Sequence, residues 1–207
     1  NRSIEFSLVL CIPAAAALAV LAEPIATVLF QRGQFSTEDA KATAQALAAF
    51  AFGLPAFVLI KAVVPGFFAR QDTATPVKIA VVAMVVNIGL AMILMQFLAH
   101  AGIALATALS AWLNVLALGV VLIRRGHFQA DGQLKSRSTK VIVSAAIMAA
   151  GLWFGADQMR AIFESTELIR AVALTSLVAG GLILFFGCAQ LTGAIRIADL
   201  KYALRRS

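Results

Sequence analysis

Charge is what this sequence has least of. Only 13% of its 207 residues are charged and 61% are apolar, against roughly 25% charged in soluble domains. That shortage excludes an ordinary water-surrounded globule. Cysteine is almost absent too: Cys11 and Cys188 both fall in apolar runs, which excludes a disulfide framework or thiolate metal site and leaves two buried free thiols. The two histidines, His100 and His127, lie in or beside loops. There is no pair of carboxylates within an apolar run, no metal-ligand cluster, no nucleophile elbow and no phosphate-binding glycine loop. Acid–base catalysis would have little to work with, so no enzyme is expected. Internal repeats are lacking as well. The chain starts at Asn1 rather than Met, and the apolar run from Ile4 is too long for a cleaved signal, so a region of a longer protein is expected.

What is present is a series of apolar runs, several longer than the ~18 residues that mark a spanning helix. Six spans are predicted. They run about Ile4–Phe30 (with Pro13 inside and Glu23–Pro24 towards its end), Ala42–Ala69, Val77–Leu98, Ala101–Ile123, Thr139–Ala156 and Leu168–Thr192. The fold class is therefore all-α, a polytopic membrane helix bundle. The net charge of +7 would suit nucleic acid, but the basic residues lie between spans, where they set topology. Arg2, Arg70, Lys78, Arg124, Arg125, Lys135, Arg137, Lys140, Arg196, Lys201, Arg205 and Arg206 fall on one side. Arg32, Lys41, Arg160 and Arg170 fall on the other. The positive-inside bias puts both ends of the chain on the cytoplasmic side, and nucleic acid is not expected as a partner.

The seventeenth basic residue, Lys61, is inside the second span, in FAFGLPAFVLIKAVVPGFFARQDTATPVKIA (Phe50–Ala80). A proline in a helix removes one backbone hydrogen bond, so Pro65 frees the carbonyl of Lys61 and Pro55 that of Ala51. In hydrocarbon, freed groups are tolerated only where protein or a wet cavity covers them. An ionisable residue within a span points to function, and two readings are open here. Lys61 lines a polar cavity, or it snorkels to the nearer interface. The span runs from outside to inside and side chains lean towards a helix's N-terminus, which aims Lys61 away from the cytoplasmic surface and favours the cavity. Arg70, Asp72 and Lys78 bracket the following turn, either as ordinary stop charges or as a contact for lipid phosphates or a gate. Glu23 is read as interfacial, with a cavity or gating role as the alternative. Thr107, Ser110 and Asn114 share a helix face and, with Asn87, suit hydrogen bonds between helices. Ser176 and Gly180 form a small-xxx-small pair and Gly181 and Gly187 add smooth surface, which suits close packing of the last two spans.

The run Lys61–Ala62–Val63–Val64–Pro65–Gly66–Phe67–Phe68–Ala69–Arg70–Gln71–Asp72, continuing through Thr75–Pro76–Val77–Lys78–Ile79–Ala80, resembles the bacterial lipid II flippase family MurJ (MviN). Leu29–Phe30–Gln31–Arg32–Gly33–Gln34–Phe35 and His100–Ala101–Gly102 fit it too. The resemblance implies the C-terminal part of a fourteen-helix, two-lobe transporter. Residues 1–123 would hold the last four helices of the C-terminal lobe and 124–138 a basic cytoplasmic loop. Residues 139–192 would be an extra terminal helix pair and 193–207 a basic cytoplasmic tail. It implies a multi-pass protein of the bacterial inner membrane that moves lipid II, an undecaprenyl-diphosphate-linked disaccharide peptide of peptidoglycan synthesis, by alternating access. Its partners would be lipid II, membrane lipids and the N-terminal lobe. Lys61, Arg70, Asp72 and Lys78 are the expected cargo-binding or gating residues, and the terminal pair would border an apolar groove for the isoprenoid tail. No cofactor is implied beyond coupling to Na+ or the membrane potential. Some relatives hold sodium with Asn and Asp one turn apart and a Thr on the next helix. Asn87 and Thr107 match two of these places, but Ala91 stands where the acid would be, which weakens a site for a hard cation. A related polysaccharide or drug exporter, a polyprenyl-phosphate enzyme and a non-transporting scaffold are the alternatives.

Overall fold

A computed structural model describes residues 2–31, 35–126, 132–163 and 166–193. Arg32, His127 and the basic tail with Arg196, Lys201, Arg205 and Arg206 lie outside the described residues, as does the side chain of Lys135. The elements are α1 (Arg2–Val20), α2 (Ala22–Phe30), α3 (Thr37–Phe68), α4 (Ala74–Arg124), α5 (Gly132–Gln158), α6 (Arg160–Phe163) and α7 (Glu167–Leu191). The described residues contain no strand.

α4 is two antiparallel legs, residues 74–98 and 100–124, joined where Ala99 leaves helical geometry at φ 46, ψ −123. Gly102 makes the reversal possible. A Cβ there would lie 2.3 Å from the carbonyl oxygen of Leu94, so only a residue without a side chain lets the legs meet so closely. Counting the legs separately, the six predicted spans are recovered, with one difference. The first span is not straight: α1 and α2 are bent by 70° across Leu21. The amide of Leu21 bonds Ala17 at 2.8 Å and that of Ile25 bonds Leu21 at 2.9 Å. The carbonyl between, on Val20, is the one that Pro24 deprives of its donor. α3 runs unbroken through Pro55 and Pro65. Its start is fixed by a capping box, with Ser36 Oγ accepting from the Asp39 amide at 3.2 Å and Asp39 accepting from the Ser36 amide at 3.0 Å.

Two packed groups share α1 as a wall. α3 lies along α4, with Ala56 against Ala111 and Val115, and Phe67 against Leu118 and Leu122. Gly53 approaches Ala108 so closely that a Cβ would sit 2.8 Å from the alanine methyl. α1 packs on α5 and α7 through a cluster with Leu21, Val141, Met148, Leu152, Leu177 and Phe185, while α2 sets Ala22 and Ala26 against Ala44 of α3. Small residues let membrane helices approach in this way, where lipid supplies no hydrophobic drive. In the last two spans the close contact is at Gly181, one of the small residues expected to give that surface. A Cβ on Gly181 would lie 2.8 Å from the Leu152 side chain, while Gly180 has open space. The first leg of α4 leaves Val81, Val82, Met84, Val85, Ile88 and Met92 at least half exposed, as a surface turned to lipid or to other helices requires.

Candidate functional site

Lys61 lies near the middle of the apolar part of α3. The run 46–68 has its midpoint at 57, so Lys61 is ~6 Å along the axis from it at 1.5 Å per residue. Its side chain is exposed, on one stripe with Pro65 and Phe68. It makes no hydrogen bond or ion pair with any described residue. The structure thus leaves a cation on the bundle surface, four residues before the proline that frees its own carbonyl. Near the other proline, a neighbouring helix bonds the backbone of α3. Trp112 Nε1, on the second leg of α4, donates to the carbonyl of Phe52 at 3.0 Å, one residue beyond the carbonyl that Pro55 frees. The rings of Phe52 and Trp112 meet at 6.0 Å and 42°. Trp112 went unnoticed in the sequence because an aromatic in a span looks like any lipid-facing one.

Arg70, Asp72 and Lys78 lie about the turn where α3 hands over to α4, and no hydrogen bond or ion pair joins them to one another among the described residues. Arg70 Nη1 bonds its own helix at the carbonyl of Gly66, 3.3 Å away. Asp72 caps α4: its Oδ1 accepts from the amide of Thr75 at 3.0 Å. Its other oxygen forms an ion pair with Arg125 Nη1 at the far end of α4's second leg. Arg125 Nη2 also donates to Thr75 Oγ1 at 3.1 Å. Hydrogen bonds from Thr75, then from Arg125, hold the Asp72 carboxyl down at about 2. Asp72 is therefore an anion already engaged by hydrogen bonds at the junction of α3 and α4. In the sequence Arg125 is only a topology charge; its partner is invisible until the hairpin brings positions 72 and 125 together. Lys78 is exposed and unpartnered among the described residues. A second cross-helix pair joins Arg137 on α5 to Glu5 on α1 at 3.2 Å.

Asn87 and Thr107 lie on the first and second legs of α4. The Thr107 hydroxyl donates to the carbonyl of Ile103 at 2.9 Å, and Ala91 offers nothing. The Oδ1 atoms of Asn87 and Asn114 are buried with no partner. Two neutral amide oxygens without a carboxylate do not fit an ion that wants several oxygens and charge. The described residues hold no group of three or more His, Cys, Asp or Glu that suits a metal.

Two cavities lie beside the second group of helices. One, of about 320 Å³, is a groove lined by Leu10, Ala14, Leu18, Met148, Gly181 and Phe185 among other apolar residues of α1, α2, α5 and α7. The other, of about 550 Å³, is at the opposite end of the bundle from Asp72, between α2, the start of α3, α5, α6 and α7. There Arg160 pairs with Asp157 at 3.0 Å, Arg170 Nη1 donates to Gln31 Oε1 at 3.4 Å, and Gln31 Nε2 donates to Thr37 Oγ1 at 3.1 Å. Sequence reading placed Glu23 near this end and missed the company it keeps.

The sequence profile of the family described as Lipid II flippase MurJ matches residues 1–174. A probable lipid II flippase MurJ of Rhizobium meliloti (strain 1021) is 42% identical over the whole chain, which spans 39% of that relative's length. A Vibrio cholerae counterpart is 36% identical over 93% of the chain and 36% of its own length. A solved structure titled lipid II flippase MurJ, inward closed conformation, superposes with a TM-score of 0.74 at 22% identity, over 92% of this chain and 38% of that one, and so supports the fold. The chain thus spans about two fifths of the length of the curated relatives it matches. The family profile reaches from the first residue into the last span, and relatives above 30% identity match the chain nearly end to end; the chain belongs to the lipid II flippase MurJ family.

Proposed function

We propose that the chain is the C-terminal part of a transporter that moves lipid II from the inner to the outer leaflet of the bacterial cytoplasmic membrane by alternating access. The observation that carries this reading is the family match over residues 1–174. Both ends of the chain are cytoplasmic, as the basic residues require, so the Asp72 end is the inner one. Lys61 is the local contribution. It is an exposed cation in an apolar span, four residues before a proline, and it binds the diphosphate or a carboxylate of the upstream lobe. The Asp72–Arg125 clamp is a fixed part of the inner gate, with Arg70 and Lys78 beside it for lipid phosphates. The apolar groove between α1, α5 and α7 guides the isoprenoid tail. With no carboxylate at position 91, the coupling we favour is the membrane potential, worth about 2.3 kcal/mol per charge per 100 mV.

The test is rescue of cells depleted of their own flippase. The whole protein restores growth, and Lys61→Ala at equal expression lowers flipping by about tenfold or more, as expected for losing a charge-assisted contact. Full rescue by Lys61→Ala would remove the cargo role of Lys61. Failure of the unmutated protein would remove the function.

A further inference from the structure

We infer that the polar cavity at the α2–α7 end binds the headgroup of a zwitterionic glycerophospholipid that carries a primary ammonium group. Three observations carry it. The first is depth. α1 has 19 residues, or ~28 Å at the helical rise, nearly the ~30 Å of the hydrocarbon core. α2 then departs at 70°, so its first turn runs near the plane of the interface, where headgroups sit.

The second is charge. Glu23, in the first turn of α2, is exposed and has no hydrogen-bond or ion-pair partner among the described residues. Arg160 and Arg170, on α6 and α7, face the same cavity. Arg160 pairs through its Nε with Asp157 at 3.0 Å, and Arg170 donates from Nη1 to Gln31 at 3.4 Å and makes a further contact of its own; each guanidinium has five N–H donors, more than these bonds use. A carboxylate on one wall and guanidinium groups on the other complement an ammonium and a phosphate held two carbons apart. Arginine suits the phosphate by its planar fork of donors. A metal ion is the poorer occupant, since the cavity offers a single uncommitted carboxylate.

The third is the floor. Trp153 lines the cavity while 63% exposed, with Val20, Ala156 and Phe163 beside it. An amphipathic ring at this depth packs against the glycerol region of a lipid. The volume of about 550 Å³ is in the range of sites that hold small molecules. On the orientation proposed above this is the outer leaflet, yet the binding itself requires neither that orientation nor the lipid II reading.

The experiment uses the whole protein in detergent, titrated with phosphatidylethanolamine, phosphatidylglycerol or phosphatidylcholine, with bound lipid counted by native mass spectrometry. The unmutated protein retains phosphatidylethanolamine in preference to the other two. Glu23→Gln weakens that retention about tenfold, the effect of one charge-assisted hydrogen bond, and brings it level with phosphatidylglycerol. Glu38→Gln, an exposed acid in the first turn of α3 that is not on the cavity wall, leaves it unchanged. Equal retention of phosphatidylethanolamine and phosphatidylglycerol by the unmutated protein would overturn the proposal. So would unchanged phosphatidylethanolamine retention by Glu23→Gln, or an equal loss in Glu38→Gln.

Discussion

Replacing Gly102 by alanine tests the hairpin on which the arrangement of α4 rests. The added Cβ would lie 2.3 Å from the Leu94 carbonyl oxygen, 2.5 Å from its carbon and 2.8 Å from the Met95 nitrogen. All three are backbone atoms, so no side chain can rotate out of the way. Ordinary close carbon–oxygen contacts begin at ~3.3 Å, and the legs must part by ~1 Å at their tightest point. Overpacking costs about 1–3 kcal/mol, and contact with rigid backbone on the partner leg puts this case at the upper end. A loss of about 3 kcal/mol lowers the melting temperature by roughly 6–12 °C for a unit of this size. Gly89 and Gly119 provide the comparison, because a Cβ at either meets nothing within 4 Å. There alanine is the better helix former by ~1 kcal/mol, and those variants should melt at or above the unmutated protein. The assay is thermal unfolding of the whole protein in detergent, followed by size exclusion. A Gly102→Ala variant melting within about 1 °C of its parent would refute the close approach of the legs.

Asp72 is expected to be insensitive to physiological pH. Its carboxyl is lowered from 3.8 to about 2 in the fold, so its contribution is complete above the ordinary value and fades only as pH falls through that window. The stability difference between the unmutated protein and Asp72→Asn should therefore be flat from about pH 5 to 8, and a difference that changes across that range would show the carboxyl titrating there. Trp112→Phe keeps a ring near Phe52 but removes the 3.0 Å indole bond to its carbonyl. It should cost about 1 kcal/mol, read as a melting temperature lower by roughly 2–4 °C, and an unchanged melting temperature would mean the bond carries nothing.

The spans were legible because lipid allows so few alternatives: long apolar runs must be helices, and the break before Gly102 was visible as a turn between two of them. Proline was a less faithful guide. The reasoning that marked Pro55 and Pro65 as helix openers applied equally to Pro24, yet the sharp bend came at Pro24, where the freed carbonyl of Val20 falls between α1 and α2. Inside α3 the packing of Ala56 and Phe67 against α4 keeps the helix continuous. A propensity for kinking is local, but whether a helix bends depends on what it is pressed against. The site residues were legible as charges and not as partners. Asp72 was read with Arg70 and Lys78, its neighbours in sequence, while its partner Arg125 is 53 positions away. Arg137 and Glu5, 132 positions apart, escaped for the same reason. Lys61 is the exception, since a cation in an apolar run is conspicuous without knowing what lies beside it.

The knot formed by Asp72, Thr75 and Arg125 has a mechanical consequence. The end of α3 and both ends of α4 are fastened at one point, while Gly53 and Ala108 grip farther along, so these three helices travel as a single plate. Shape change in such an assembly is then directed to slippage along α1 and α2, which touch both that plate and the helices beyond it, and a stiff unit of this kind would rock without flexing.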